Sequence, residues 1–234
     1  KLGYQFSLSY KNQTQFYDDR VDGTYIKDEN NTSITELLGT RRSNGIEGKS
    51  NILLSTLAGI VYKREQAKYK LNFLHIQNGE STAGLYNQEI AQAGGGSGFE
   101  PIKKDALLFT ERSITNLLLG GQHSFTNGDW KLDWKLSPTL SRVYDKDHRI
   151  TPLQQSDNGE YFISPSAASF PIRIWRNLEE VNVVGKLDVT RKYSFEERPA
   201  KLKFGVSQTI KQRDFFIDDY TFTKSGTLQV QNGN

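Results

Sequence analysis

The side chains best suited to chemistry in this 234-residue chain include three histidines, His75, His123 and His148. They are far apart in sequence, and none belongs to an HExxH motif. His75 and His123 lie in strand-like patterns and His148 in a loop-like segment, so we expect ordinary polar roles rather than metal binding. No Gly-x-Ser-x-Gly elbow joins a strand to a helix. The sequence therefore predicts no catalytic residue and no enzyme.

Oxygen ligands of the kind that calcium prefers occur in several short segments. These are Asp18-Asp19 with Asp22, Asp28-Glu29, Asp145 with Asp147, and Asp218-Asp219. None matches an EF-hand loop, so solvated surface charge is favoured over a metal site. The glycine tract from Gly94 to Gly98 lacks the Lys-Ser/Thr of a phosphate loop and predicts a loop tip. No metal-binding or cofactor-binding residue is predicted, and no cofactor is expected.

Tyr161 and Phe162, in a loop-like region, and Trp175, just after it, could stack on a sugar or peptide, but packing within the loop core explains them at least as well. Ligand-binding residues therefore stay unknown at this stage. The net charge is only +3, and basic residues are interleaved with acidic ones, which disfavours nucleic acid as a partner. The absence of cysteine excludes a disulfide framework. No apolar run is long enough for a transmembrane helix.

The stretch from Asn116 to Ser141 indicates the fold class most clearly. It contains Thr126-Asn127-Gly128-Asp129, in which Asn-Gly is a strong signal for a tight hairpin. After this turn the apolar series Trp130, Leu132, Trp134, Leu136, Leu140 alternates with the polar series Lys131, Asp133, Lys135, Ser137, Thr139, Ser141. The apolar face of such a strand either covers a soluble core or meets lipid.

About seven such strands are predicted, and their connections alternate between long and short. Long connections are expected near residues 18–48, 78–104 and 145–173, and short turns near 64–67, 126–129 and 196–199. In the first long connection, the capping-box pattern from Ser33 to Glu36 predicts a short helical turn. The second strand, about 50–63, is apolar in both residue series, so its register stays open. An antiparallel meander would place all long connections at one end, as in outer-membrane barrels.

Two further features favour a membrane barrel over a soluble sandwich or barrel. Aromatic residues lie at the short turns: Tyr62 and Tyr69 at the first, Phe125 and Trp130 at the second, Tyr193 and Phe195 at the third. Aromatic rings gather where lipid meets water. Several strands also keep their pattern for about twelve or more residues, whereas soluble strands usually run five or six. The expected class is therefore all-β, an antiparallel up-and-down transmembrane β-barrel. Because seven strands cannot close in lipid without unpaired edges, we expect residues 1–234 to be part of a larger barrel.

A family likeness is carried by segments spread over the whole chain. They are Glu111-Arg112-Ser113, Asn116-Leu117, Gly121 to Phe125, Leu132-Asp133-Trp134, Leu136-Ser137-Pro138, Leu57 to Lys63, Gly79 to Ala83, Lys203-Phe204-Gly205, and Lys211 to Phe215. In these segments the chain resembles the central barrel of TonB-dependent outer-membrane receptors of the Bacteroidetes type, the SusC-like group. The resemblance implies a 22-stranded barrel around a plug domain. No plug, TonB-contacting segment or closing C-terminal aromatic strand is seen, so no family binding residue is carried over.

What the resemblance implies is import of a nutrient, such as a siderophore, cobalamin, a glycan or a peptide, by a parent protein in the bacterial outer membrane. The partners would be the lipid bilayer, the protein's own plug domain, TonB and, in an assembly, a surface lipoprotein. One alternative is a barrel of the same architecture that serves as a structural or partner-binding subunit. A second alternative is a soluble carbohydrate-binding β-domain.

Overall fold

Seven long antiparallel strands dominate the computed structural model of the chain, which describes residues 1–27, 37–91, 99–125 and 128–223. The long strands are β1 (Leu2–Ile26), β2 (Leu38–Arg64), β3 (Ala67–Ala91), β4 (Phe99–Phe125), β5 (Trp130–Gln155), β7 (Ile172–Phe195) and β8 (Arg198–Thr221). A two-residue strand, β6 (Tyr161–Phe162), and a short helix, α1 (Pro165–Ala168), lie between β5 and β7. The prediction of an all-β antiparallel protein with about seven long strands is confirmed.

The long strands pair with their neighbours along the chain, in the order β1-β2-β3-β4-β5-β7-β8, and β6 adds a short pairing to β5. Every pairing is antiparallel. The sheet is not closed, because in the described part of the chain β1 and β8 each pair on one side only. The result is one open meander.

The three short turns lie where the sequence predicts them. Register pairs at the strand ends are Arg64 with Ala67, Phe125 with Trp130, and Phe195 with Arg198. Glu196 and Glu197 both have positive φ, 48° and 63°, as in the two-residue hairpin turns whose twist matches that of the strands. In the second turn Gly128 has a φ of 95°, and Thr126 and Asn127 lie outside the described residues.

The long connections are shorter than the sequence predicts, because the strands continue into all three. Strand occupies residues 18–26 and 38–48 of the first, 78–91 and 99–104 of the second, and 145–155, 161–162 and 172–173 of the third. The predicted bounds are therefore wrong. Polar residues occupy both faces of many of these outer segments, so the alternation that reveals a strand is lost there. The helical turn expected at 33–36 and the glycine tract at 94–98 lie outside the described residues.

The register of β2 is settled by its pairing with β1, in which Leu2 lies opposite Tyr62 and Tyr4 opposite Ile60. Successive side chains point to opposite faces of a strand, and directly paired residues share a face. The even-numbered residues of β2 therefore lie on the same face of the sheet as the even-numbered residues of β1 with which they pair. Leu53, Leu57 and Val61 lie on the other face.

One face of the sheet carries a continuous apolar band next to the short turns, and we call this the apolar face. The band comprises Leu2, Tyr4, Phe6, Leu8 and Tyr10; Ile52, Leu54, Ala58, Ile60 and Tyr62; Tyr69, Leu71 and Phe73; Leu117, Leu119 and Phe125; Trp130, Leu132, Trp134, Leu136 and Leu140; Val181, Val183, Leu187 and Val189; and Leu202, Phe204, Val206 and Ile210. From Trp130 to Leu140 it spans about 33 Å along the strand at ~3.3 Å per residue.

Nothing in the described part of the chain packs against this band. Ile102 and Ala106 are the buried apolar residues among those described, and both lie far from the band along β4. Phe204, within the band, is 65% exposed. The opposite side of the sheet, which we call the polar face, carries most of the charged side chains at the same level.

Candidate functional site

A hollow of about 170 Å³ lies on the polar face, beyond the level of the apolar band and toward the long connections. Its lining comes from five adjacent strands, β1 to β5. The side chains around it are Arg20, Asp22, Arg41, Ser43, Tyr86, Gln88, Lys104, Ala106, Leu108 and Ile150. Cross-strand register brings them together, since Asp22 lies opposite Ser43, Ser43 opposite Gln88, and Tyr86 opposite Lys104. The hollow thus depends on the exact pairing of distant segments.

One wall of the hollow is an ionic network around Glu47, which is only 5% exposed to solvent. The Tyr86 hydroxyl donates a hydrogen bond of 2.6 Å to Glu47 Oε2, and Arg20 Nη1 forms an ion pair with the same oxygen. Arg20 also donates to the Tyr86 hydroxyl at 3.3 Å, and its guanidinium lies 5.7 Å from the centre of the Tyr86 ring. A buried carboxylate is tolerated because it is both paired and hydrogen-bonded.

On the opposite wall lie two cations, Arg41 and Lys104, of which only Arg41 has an ion-pair partner among the described residues. Arg41 Nη2 lies 3.1 Å from Asp22 Oδ2, and Arg41 Nε donates to Thr24 Oγ1 at 3.3 Å. The Lys104 ammonium has no hydrogen-bonding or ion-pair partner among the described residues. Burial lowers the pKa of Lys104, the nearby Arg41 guanidinium lowers it further, and Asp22 acts in the opposite direction. Lys104 is therefore a partly desolvated cation that faces open space.

A second polar cluster, on the same face, joins Thr110, Asp145, His148 and Arg176. The Thr110 hydroxyl donates to Asp145 Oδ1 at 2.7 Å, and Arg176 Nε lies 2.6 Å from Asp145 Oδ2. His148 Nε2 lies 3.2 Å from Thr110 Oγ1 and 3.1 Å from the carbonyl oxygen of Phe109. Because the hydroxyl proton is directed to Asp145 rather than to the imidazole, this is not the geometry of an activated nucleophile. The cluster instead holds β4, β5 and β7 together.

A β-bulge in β5 lies within this cluster, between Asp145 and His148. Register shifts between Asp145 and His148 against β7, and Asp147 within the bulge has a φ of 55°. Its carboxylate accepts hydrogen bonds from Arg173 Nε at 2.7 Å and from Arg149 Nε at 2.8 Å. The hydrogen bond from Arg173, and to a smaller extent the one from Arg149, holds the pKa of Asp147 well below its ordinary value. The bulge thus places the Asp147 carboxylate between Arg149 of the same strand and Arg173 of the neighbouring strand β7.

The other two histidines predicted to have polar roles make ordinary side-chain contacts. His75 Nδ1 lies 2.9 Å from Thr115 Oγ1 on the neighbouring strand. His123 Nε2 accepts a hydrogen bond of 3.2 Å from Trp134 Nε1, and its ring makes an edge contact with Tyr69. The three histidines lie on different parts of the sheet and are not brought together.

The carboxylates considered for calcium are largely taken up by arginines. Asp22 pairs with Arg41, Asp145 with Arg176, and Asp147 with two arginines. No group of three or more His, Cys, Asp or Glu side chains that could hold a metal occurs within 1–27, 37–91, 99–125 and 128–223. Asp28 and Glu29 lie outside the described residues.

Two of the three aromatic residues considered for ligand stacking, Trp175 and Tyr161, have side-chain partners within the chain. The Trp175 ring lies 5.5 Å from that of Tyr220 and 5.0 Å from the Arg173 guanidinium. Lys103 Nζ lies 5.4 Å from the centre of the Tyr161 ring. Phe162 is exposed. No stacking platform formed by the three together is seen.

Charged side chains also lie directly behind the apolar band. Asp188 Oδ2 is 3.4 Å from Lys186 Nζ and 3.6 Å from Lys203 Nζ, on the polar face between strands whose other face carries Leu187 and Phe204. Glu180, near the end of the band, accepts from Arg213 Nε at 2.8 Å. One side of the sheet is thus apolar at the depth where the other side is ionic.

Apart from Asp22, which was considered as a calcium ligand, the sequence alone did not single out the residues of the hollow. Arg20, Asp22 and Arg41 lie in the predicted connection 18–48, and Tyr86 and Lys104 lie in the predicted connection 78–104. A loop assignment gives no cross-strand pairing, and so these residues could not be placed side by side. The only available signal was the run of charged residues in segments too long for ordinary loops.

Comparison with family models, with curated proteins and with solved structures finds no match to the chain. Within the described residues no helix has the length and apolar character needed to cross a membrane. The function must therefore be argued from the sheet and its two faces.

Proposed function

We propose that this chain is part of the wall of a TonB-dependent outer-membrane receptor, whose parent protein imports a nutrient across the bacterial outer membrane. The observation that carries the proposal is the apolar band, which is solvent-exposed on a sheet that has no second layer in the described part of the chain. A soluble sandwich requires a second apolar surface against this face. Lipid is the medium that matches a wide apolar band of this kind.

The dimensions of the band support this assignment. About 33 Å along a strand becomes about 25 Å across the membrane at a tilt near 40°, which is the height of the apolar belt of outer-membrane barrels. Aromatic residues Tyr62, Tyr69, Phe125 and Trp130 lie at the edge of the band next to the short turns. Rings of this kind favour the boundary between lipid and water.

The length of the strands, together with the position of the band, supports an orientation in which the long connections project beyond the membrane. Each long strand has 24 to 27 residues, whereas about nine to eleven residues cross the hydrocarbon. Because the band adjoins the short turns, the surplus extends beyond the membrane on the side of the long connections. Outer-membrane barrels have this asymmetry, with short turns in the periplasm and long segments outside the cell.

The ionic groups on the polar face require an interior that is not lipid. Lys186, Asp188 and Lys203 would be costly to expose to hydrocarbon, so a wet or protein-filled lumen must lie on that side. Both edges of the sheet also need further strands, since each unpaired backbone group in lipid costs several kcal/mol. These two requirements are met together by closure into a larger barrel.

An apolar patch on the polar face favours a plugged receptor over an open pore. It is formed by Leu57, Leu74, Ile76, Ile114 and Leu118, which lie on adjacent strands at the depth of the band. Leu57 and Ile114 are exposed in the sheet. A protein domain inside the barrel would cover this patch, as the plug does in the family that the sequence resembles, whereas a water-filled channel would leave it wet.

Orientation in the membrane can be tested by cysteine labelling in cells that produce the whole receptor, because this chain has no cysteine of its own. Asn158→Cys lies at the end of the long connections and Glu196→Cys at the end of the short turns. A membrane-impermeant maleimide should label the first variant in intact cells and the second only after the outer membrane is opened. Equal labelling of both in intact cells, or recovery of the protein in the soluble fraction, would contradict the proposal.

Import is tested separately by uptake of labelled siderophores, cobalamin, glycans and peptides. Uptake of one of these should fall when the gene is deleted and also when TonB is removed. A structural subunit of the outer membrane would instead leave TonB-dependent uptake of all of them unchanged.

A further inference from the structure

We propose that the hollow on the polar face binds an anionic group, a phosphate or carboxylate, through Lys104, Arg41 and Arg20. As an assignment of substrate chemistry, this inference rests on the proposed function, since it places an anion-binding site where a nutrient would enter the lumen. As a binding site, it depends only on the geometry of the sheet.

The balance of charge is the first argument. Three cations, Arg20, Arg41 and Lys104, face or border the hollow against two carboxylates, Asp22 and Glu47. Glu47 is occupied by Arg20 and by the Tyr86 hydroxyl, and Asp22 is occupied by Arg41. Among the described residues Lys104 is left without an ion-pair partner, and the Asp22 carboxylate that partly offsets its charge is itself paired with Arg41.

The environment of that charge is the second argument. The Lys104 ammonium is partly buried beside another cation, which makes its charged form less stable than in water. An anion placed between Lys104 and Arg41 would relieve both the desolvation and the repulsion.

The remaining lining suits an anionic group carried on a small carbon skeleton. Ser43 and Gln88 supply neutral polar groups next to the cations, and Ala106, Leu108 and Ile150 form an apolar floor. A hollow of about 170 Å³ admits a phosphate group or a short carboxylic acid, not a whole polymer. The site would therefore grip one charged group of a larger nutrient or a small anion by itself.

Binding can be measured on the purified whole protein that contains this chain, in detergent micelles, by isothermal titration calorimetry with inorganic phosphate, succinate and glucose 6-phosphate as probes. We expect saturable binding of at least one of them, and a Kd at least about tenfold weaker in Lys104→Gln, the loss typical of one charge-assisted hydrogen bond. Arg41→Gln should weaken binding as well. Tighter binding of glucose 6-phosphate than of phosphate would assign the site to an anionic group on a larger nutrient, and equal binding would assign it to the free anion.

Lys103→Gln is the matched control, because Lys103 is the neighbouring residue on the other face of the same strand. Its Kd should stay within about twofold of the unmodified chain, and Lys104→Arg should retain binding because the charge is kept. Far-ultraviolet circular dichroism verifies the sheet in every variant. No saturable binding, or equal loss in the Lys103 and Lys104 variants, would overturn the inference.

The result is independent of the membrane proposal. If the cysteine labelling fails while phosphate binding depends on Lys104, the chain is an anion-binding β-domain of another kind. If the labelling succeeds while binding fails, the receptor assignment stands and this site is wrong.

Discussion

Leu136→Lys is the substitution that distinguishes lipid from water on the apolar face most sharply. Leu136 lies near the middle of the band on β5, with Leu119 and Gly185 opposite it on the two neighbouring strands, and it is 40% exposed in the sheet. If this face meets hydrocarbon, a lysine here should reduce the free energy of unfolding by about 2–4 kcal/mol. That corresponds to a change of about 30- to 700-fold in the folding equilibrium constant. If the face meets water, the change should stay within about 0.5 kcal/mol.

Thr209→Lys is the matched control. Thr209 is exposed on the polar face of β8, and its cross-strand partner is Val184, which in turn lies opposite Ser137, the neighbour of Leu136. The two substitutions thus introduce the same charge at the same depth on opposite faces.

The assay is guanidinium unfolding of the whole receptor in phospholipid vesicles, followed by tryptophan fluorescence. The control substitution should cost less than about 1 kcal/mol, since it adds a charge to a face that already carries several. Equal free-energy changes for the two variants would refute the assignment of lipid to the apolar face.

Two further predictions concern single positions in the sheet. Asp147→Asn removes a carboxylate whose pKa is held low by Arg173 and Arg149, so it should destabilise the chain at pH 7. Because the pKa of Asp147 is lower in the folded state than its unfolded-state value near 3.8, the ionised carboxylate stabilises the fold fully above that value. This stabilisation is progressively lost as pH falls from 3.8 toward the folded-state pKa. The urea concentration at the unfolding midpoint should therefore be lower for Asp147→Asn than for the unmodified protein at pH 7, and this difference should become smaller at pH 3. A difference that does not change with pH would contradict the ion-pair explanation. Gly121→Ala would place a Cβ inside van der Waals contact with the indole nitrogen of Trp134, so it should cost about 1–3 kcal/mol in a thermal melt. Gly120→Ala, whose Cβ would have no contact closer than 3.5 Å, should not destabilise the protein in the same measurement.

How much the sequence can predict depends on whether the two faces of a strand differ. Around Trp130 to Leu140 one face is apolar and the other polar, and there the strand, its hairpin and its alternation are all predicted correctly. In β2 the residues Leu53, Leu57 and Val61 make both series apolar, so the register could be found only through its pairing with β1. Local pattern thus determines strand and turn, and the register needs a partner strand.

The residues of the hollow on the polar face also could not be placed without knowing how the strands pair. In the outer parts of β1 to β4 both faces carry polar residues, so periodicity does not separate strand from loop. Arg20 and Lys104 are brought close by two intervening strands, and no local signal in either segment records that relation. The Thr110 to Asp145 hydrogen bond across a bulge is likewise a property of pairing rather than of spacing.

Contact between the apolar band and acyl chains is tested most directly by quenching of tryptophan fluorescence by lipids brominated in the middle of the chain. In the whole receptor, a variant that keeps Trp134 as its only tryptophan reports on the band, and a variant that keeps only Trp175 reports on the same side of the sheet about 20 Å beyond the band along β7. We predict strong quenching of Trp134 and little quenching of Trp175 in reconstituted vesicles. Equal quenching of the two, or none of Trp134, would contradict the lipid-facing sheet and with it the receptor proposal.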